Sequence, residues 1–137
     1  MRQVGDYPLW IGTAHDARDN QAVHAAGIQA IIDLAAEEQP AIPTRSLTYL
    51  RFPIVDGGGN DPKLLRSLMA AVESLIRERI PVLIACRMGM SRSPTVAAIA
   101  LGAVYGKSAA EAMKLIAGPC DVSPALMKEL ETCGGVR

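Results

Sequence analysis

The sequence of 137 residues predicts an α/β domain with a central, mostly parallel sheet flanked by helices. Three observations carry that prediction. Short runs rich in branched apolar residues alternate with helical patterns. The run at 28–34 (IQAIIDL) is apolar on both faces, as a strand inside a parallel sheet must be. Two cap-then-proline pairs, Asp61-Pro62 and Ser93-Pro94, mark helix starts, because proline at the first helical position gives up an N–H that has no partner there anyway.

Taken in order, residues 9–12 read as a first strand, and 16–26 as a helix closed by Gly27, a residue suited to a left-handed cap. The second strand at 28–34 leads into a loop at 35–46 that contains two prolines. Residues 47–55 (LTYLRFPIV) give a third strand; Asp56 and the run Gly57, Gly58 and Gly59 follow as a flexible turn. A long helix runs from Asp61 to about position 79, and 81–85 (PVLIA) is a wholly apolar strand. The next helix, capped by Ser93 and running to about 105, is apolar almost all round and is expected in the middle of the fold. Helices at 108–117 and 123–133, each opening on a serine, complete the chain. No repeat or linker divides it, so a single domain over 1–137 is expected.

Fourteen basic and fourteen acidic side chains give a net charge of zero, which argues against broad phosphate neutralisation; no nucleic-acid partner is expected. The apolar-rich segment at 94–105 is well short of the ~20 residues that span a bilayer, so no membrane partner is expected and the cytoplasm is the expected location. Cys86, Cys120 and Cys133 are odd in number and widely spaced, which fits a reducing compartment better than a disulfide framework. Two histidines, His15 and His24, leave little for a metal site, and no cofactor is expected. The oligomeric state is not written in these features.

The chemistry is concentrated in 82–95, VLIACRMGMSRSPT. A cysteine ends a buried strand, five residues of loop follow, and an arginine stands just before a helix. Such a junction aims backbone N–H groups into one concavity, with the helix terminus adding partial positive charge, and so binds phosphate or a similar oxyanion. Arg87, Met88, Gly89, Met90, Ser91 and Arg92 are the expected phosphate-binding residues. The side chains of Arg87, Met88 and Met90 are expected at the rim, while their amides face the anion. Gly89 allows the tight turn and a close approach to the ligand. Arg92 can fork onto two phosphoryl oxygens, a geometry lysine lacks. The same field favours the thiolate of Cys86 as a nucleophile, whose attack on phosphorus gives a phosphocysteine intermediate. Ser93 can donate to the sulfur and ease its departure. Asp56, thirty residues upstream at the end of a strand, is the candidate general acid and then base, with Asp61 as the alternate.

The segment from Cys86 to Ser93 resembles the signature loop of cysteine-dependent protein phosphatases, with Asp56 where their general-acid loop falls. The opening LWIGTAHDARDNQAVHAAGIQAIIDL is similar to the first strand, helix and second strand of the compact dual-specificity subgroup. The resemblance covers nearly the whole chain. It implies a protein tyrosine phosphatase-like fold and metal-independent hydrolysis of phosphotyrosine, phosphoserine or phosphothreonine in a phosphorylated protein substrate. One position departs: Ala85 stands where the family carries histidine, implying a less strongly activated Cys86 than in relatives. A phosphoinositide or an RNA 5′-phosphate is the alternative substrate within the same chemistry. A sulfurtransferase, which needs no acid such as Asp56, and a non-catalytic phosphoprotein-binding module are the alternatives outside it. Cys120 and Cys133 lie at spacings that give no sign of proximity to Cys86.

Overall fold

The structure is a computed structural model and describes residues 1–44 and 46–134. Arg45, within the predicted loop, and 135–137, within the predicted domain, lie outside the described residues. A five-stranded sheet in the order β1-β2-β5-β3-β4 forms the centre. Its strands are β1 (Arg2–Gln3), β2 (Leu9–Thr13), β3 (Ala30–Asp33), β4 (Thr48–Arg51) and β5 (Val82–Cys86). Only β1 runs antiparallel; β2, β5, β3 and β4 are parallel. The helices are α1 (Ala14–Arg18), α2 (Asn20–Ala25), α3 (Pro62–Arg77), α4 (Arg92–Tyr105), α5 (Ala109–Met113) and α6 (Pro124–Gly134).

The period-2 alternation of β5 divides the core. Val82, Ile84 and Cys86 face one side with Leu68, Met69, Val96, Leu101 and Leu126 from α3, α4 and α6. Leu83 and Ala85 face the other with Ala17, Val23 and Ile31 on the α1–α2 side. Each fully buried Leu or Ile contributes roughly 1.5–3 kcal/mol relative to exposure. As expected, α4 lies at the centre: every residue from Arg92 to Gly102 is buried.

Several elements differ from the sequence-based expectation for identifiable reasons. The predicted helix at 16–26 is two helices, because Asp19 leaves helical geometry (φ −86°, ψ 85°) and its Oδ1 accepts from Ala22 N to start α2. Asp16 is the third residue of α1, where it completes a reciprocal cap with Thr13. The third strand shortens to Thr48–Arg51, since its ladder with β3 ends at Asp33 and Pro53 has no N–H to extend it. At the start of α3, Asp61 Oδ1 accepts from Lys63 N at 3.0 Å, as its cap-then-proline pattern predicts.

Ser93 does not cap its helix, contrary to expectation. The cap position falls to Ser91, whose side chain makes no capping bond, so Ser93 sits inside the first turn with its side chain fully buried. The predicted helix at 108–117 is regular only over Ala109–Met113, closed at its start by the reciprocal cap of Ser108 and Glu111. The helix predicted at 123–133 is observed, with Leu126 N donating to Ser123 Oγ at 3.3 Å.

Parallel registry brings the ends of β2, β5, β3 and β4 to one edge: Thr13 lies beside Cys86, and Asp33 beside both Ala85 and Arg51. The loops that follow these strands converge there, where parallel α/β sheets characteristically bind ligands.

Candidate active site

Cys86 is the last residue of the central strand, and the chain turns after it through Arg87 to Ser91 into α4. The thiol is buried, and Gly89 N–H donates to Sγ at 3.2 Å. Gly89 has φ +70°, and a Cβ there would stand 3.0 Å from the Gly12 carbonyl oxygen. The expectation for Gly89 is thereby refined: its missing Cβ lets the loop lie against the end of β2, in addition to allowing the turn.

Arg92, the first residue of α4, is 5% exposed and reaches across to the β3–β4 loop. Its Nη1 donates to Glu37 Oε1 at 2.9 Å and to the Leu34 carbonyl at 3.0 Å, with a longer contact to Ile54 O at 3.4 Å; Nη2 donates to Glu37 Oε2 at 2.8 Å. Glu37 thus fills the fork between the two terminal nitrogens. The Nε–H and one Nη2–H have no partner among the described residues, which leaves a side-on fork for two phosphoryl oxygens. Burial opposes the charge on Arg92, but the hydrogen bonds and charge of Glu37, with Cys86 and Asp56 adding, hold the guanidinium above its ordinary range. The hydrogen bond from Arg92 holds the Glu37 carboxyl below the usual carboxylate range. The loop bearing Glu37 is itself gripped by Arg51, whose Nη2 donates to Ala35 O at 2.6 Å and Glu38 O at 2.5 Å.

Asp56 comes from the β4–α3 loop and accepts from Ser91 Oγ at 2.6 Å on Oδ1. The glycine turn after it is bridged by side chains. Asn60 Oδ1 accepts from Val55 N at 2.7 Å, and its Nδ2 reaches Val55 O and Gly57 O. Glu129 of α6 accepts from Gly59 N at 2.7 Å, with Asn60 Nδ2 at 3.1 Å. The Gly59 amide, followed by Asn60, lowers the Glu129 carboxyl from its ordinary range.

These groups share a pocket of about 290 Å³ lined by Glu37, Asp56, Cys86, Arg87, Met88, Met90, Ser91, Arg92 and Asp121. The structure thus brings together the predicted Cys86, Asp56, Arg87, Met88, Met90, Ser91 and Arg92, whereas Gly89 does not line the pocket and turns its N–H to Cys86 Sγ. Asp61, the alternate acid, caps α3 and does not line the pocket. Arg87 and Met88 are exposed at the rim, with Arg87 Nε 3.8 Å from Glu38 Oε2. Ser93 Oγ is buried behind the loop with no hydrogen-bond partner among the described residues, a donor available to a nearby acceptor. Cys120 and Cys133 are free thiols, neither of which lines the pocket. A hollow of about 340 Å³ at the opposite end of β3 and β4, lined by residues such as His24, Gln29 and Ser46, contains no cysteine or carboxylate. Among the described residues, no group of three or more His, Cys, Asp and Glu side chains is arranged to hold a metal ion, and no helix is long and apolar enough to cross a membrane.

Glu37, Asn60, Asp121 and Glu129 were not found from sequence. The one available signal was the acidic pair Glu37-Glu38 just beyond a strand whose end faces the Cys86 edge.

Fold and site together place a cysteine, an arginine fork and a carboxyl in one pocket at a strand-to-helix junction. The chain belongs to the dual-specificity phosphatase family, whose catalytic-domain model matches residues 9–130. Solved structures repeat the fold. Human DUSP28 superposes with a TM-score of 0.84 at 23% identity, covering 99% of this chain and 96% of its own. The human tyrosine phosphatase-like serine/threonine/tyrosine-interacting protein gives 0.79 at 16% identity, covering 99% and 96%. PTPMT1 gives 0.72 at 17% identity, covering 98% and 94%. No curated protein sequence matches the chain.

Proposed function

We propose that this chain is a single-domain, metal-independent phosphomonoester hydrolase that works through a phosphocysteine and acts on phosphorylated protein side chains. One observation carries the reading: Cys86 Sγ, with a loop amide already donating to it, shares a single pocket with the Arg92 fork and the Asp56 carboxyl. In the first step the Cys86 thiolate attacks phosphorus, the bond to the leaving oxygen breaks, and the proton of Asp56 passes to that oxygen. Arg92 and the amides of the loop hold the charge on the equatorial oxygens as it develops. In the second step water attacks the phosphocysteine and gives a proton back to Asp56. The S–P bond breaks, inorganic phosphate leaves, and the thiolate is restored with the Ser93 hydroxyl available to it.

A protein substrate is favoured over a phosphoinositide or an RNA end by the charge of the pocket lining. Besides the protonated Asp56, two carboxylates, Glu37 and Asp121, stand there against two arginines, Arg87 and Arg92. That balance leaves no surplus of positive charge for a second phosphate, and so suits one phosphate dianion on a side chain. The test is hydrolysis of p-nitrophenyl phosphate in EDTA, with vanadate as inhibitor and Cys86→Ser as control. Turnover that vanadate blocks and Cys86→Ser abolishes is expected, followed by release of phosphate from phosphopeptides in preference to phosphoinositides. An inactive wild type that still binds phosphopeptide would make this a binding module instead. Cyanide-dependent thiocyanate release would make it a sulfurtransferase.

A further inference from the structure

The phosphate loop is gripped from behind by a side chain at the far end of the sequence. Arg2 lies on β1, the strand that closes the sheet beyond β2, opposite Ile11. Its Nη2 donates to the Gly89 carbonyl at 2.6 Å, and its Nη1 donates to Ala117 O at 2.6 Å and Pro119 O at 3.0 Å. One guanidinium thus joins the middle of the phosphate loop to the segment connecting α5 and α6. The neighbouring backbone fits this grip. Gly118 has φ +88°, and a Cβ on it would come within 2.7 Å of Arg2 Nη1. Asp121 N, two residues past Pro119, donates to Met90 O at 2.7 Å, so the same segment returns to the loop one residue further on.

The consequence follows from the planarity of the trans peptide. A carbonyl and the N–H of the next residue point in opposite directions from one peptide plane. Drawing the Gly89 carbonyl outward onto Arg2 therefore turns the Met90 N–H inward, toward the pocket that Met90 lines. Asp121 N does the same for the following peptide, pulling Met90 O outward and turning the Ser91 N–H in. The positive charge on Arg2 also polarises the 89–90 peptide in the sense that makes its N–H a better donor. We infer that Arg2 is a positioning residue for phosphate binding, orienting the Met90 amide toward the transferring phosphoryl group without touching it. The inference rests on the reading of the loop as a phosphate cradle.

The experiment compares Arg2→Ala, Arg2→Lys and Gln3→Ala. Gln3 is the neighbour of Arg2 on β1, and among the described residues its side chain bonds only to Tyr7 O, so it reports general loosening of the strand. Orthovanadate Ki and p-nitrophenyl phosphate kcat and KM are measured, with thermal melting in parallel. Arg2→Ala is expected to raise the vanadate Ki and lower kcat/KM by about tenfold, the scale of one charge-assisted hydrogen bond. Arg2→Lys, which supplies charge without the fork, should recover only part. Millimolar guanidinium should restore activity to Arg2→Ala and leave wild type unchanged. Gln3→Ala should melt earlier with an unaltered vanadate Ki. An Arg2→Ala protein that folds and keeps the wild-type Ki and kcat/KM overturns the inference while leaving the phosphatase reading intact, as does an equal loss in Gln3→Ala. If wild type turns nothing over, a titration with inorganic phosphate followed by the Met90 amide resonance replaces the kinetics. A Met90 shift that persists in Arg2→Ala overturns the inference alone, and no phosphate binding by wild type overturns both.

Discussion

Ser91 Oγ donates to Asp56 Oδ1 at 2.6 Å, tying the loop after β5 directly to the β4–α3 loop across 35 positions of sequence. With Oδ1 occupied, the proton that Asp56 gives to a leaving group in the proposed mechanism is left to Oδ2. Asp56→Asn should therefore slow phenyl phosphate, whose leaving group needs that proton, by about 10²–10⁴-fold, and p-nitrophenyl phosphate far less. Ser91→Ala keeps the acid but frees its orientation. The expected result is a loss of about tenfold on phenyl phosphate with little change on p-nitrophenyl phosphate, and steady-state rates on the two esters measure the contrast.

The fork between Glu37 and Arg92 makes a separate prediction. Glu37→Gln preserves the shape but removes the charge that fixes the guanidinium. Because Glu37 is 45% exposed by side chain, solvent screens the pair, and a loss of about 1 kcal/mol is the expected scale. That corresponds to a rise of about fivefold in the vanadate Ki. The Glu37 carboxyl titrates below its ordinary 4.5 because Arg92 donates to it. The stabilisation from the pair is therefore complete above that ordinary value and is lost as pH falls through the lowered one. Phosphate affinity in wild type should fall over that acidic range through this pair, and the fall should be shallower in Glu37→Gln.

Glu129 and Gly59 give the acid loop its own acid sensitivity. The Glu129 carboxyl is held below its ordinary 4.5 by the Gly59 amide, so its share of the hold on the loop is complete above that value and is lost as pH drops through the lowered one. In Glu129→Ala this hold is absent at every pH, and the loop keeps only its Asn60 and Ser91 bonds. Amide exchange at Gly57 and Gly59 should quicken severalfold at pH 7 in the variant, with kcat on phenyl phosphate falling and KM nearly constant. Equal exchange in the two proteins would remove Glu129 from this role.

Ala85 carries no exposed surface and packs with Ala17, Val23, Ile31 and Leu83 on the face of the sheet opposite to Cys86. Ala85→His would force an imidazole into that closed apolar layer, at a cost of about 2–4 kcal/mol from overpacking and polar burial. Thermal unfolding should shift down by roughly 10 °C. Alkylation of Cys86 by iodoacetate at pH 7 should quicken in the folded variant. An unchanged rate would take position 85 out of thiol activation.

The parts of this site that were legible in sequence are those whose chemistry is contiguous. Cys86, Gly89, Arg92 and Ser93 announce themselves because a single loop must carry the nucleophile, the turn and the fork at fixed spacing. Asp61 and Pro62 likewise name their helix start locally. What was hidden acts over distance. Glu37 meets Arg92 55 positions away and Glu129 meets Asn60 69 away, and each looks in sequence like an ordinary solvated charge. Asp19 was hidden for a different reason: apolar spacing runs through it, and only its backbone geometry shows that one predicted helix is two. Ser93 misled because serine before proline is a good cap signal, yet here the arginine before it is already helical.

The position of β5 between β2 and β3 gives the two halves of the candidate machinery different lifetimes. Backbone hydrogen bonds secure both sides of the strand that ends at Cys86, whereas the Asp56 loop is fastened mainly by Ser91, Asn60 and Glu129 side chains. Amides of β5 should exchange only when the whole molecule opens, and those around Gly57 by local release. Gentle warming should therefore populate a half-armed enzyme, one that still captures an electrophile at sulfur but can no longer hand a proton to what departs.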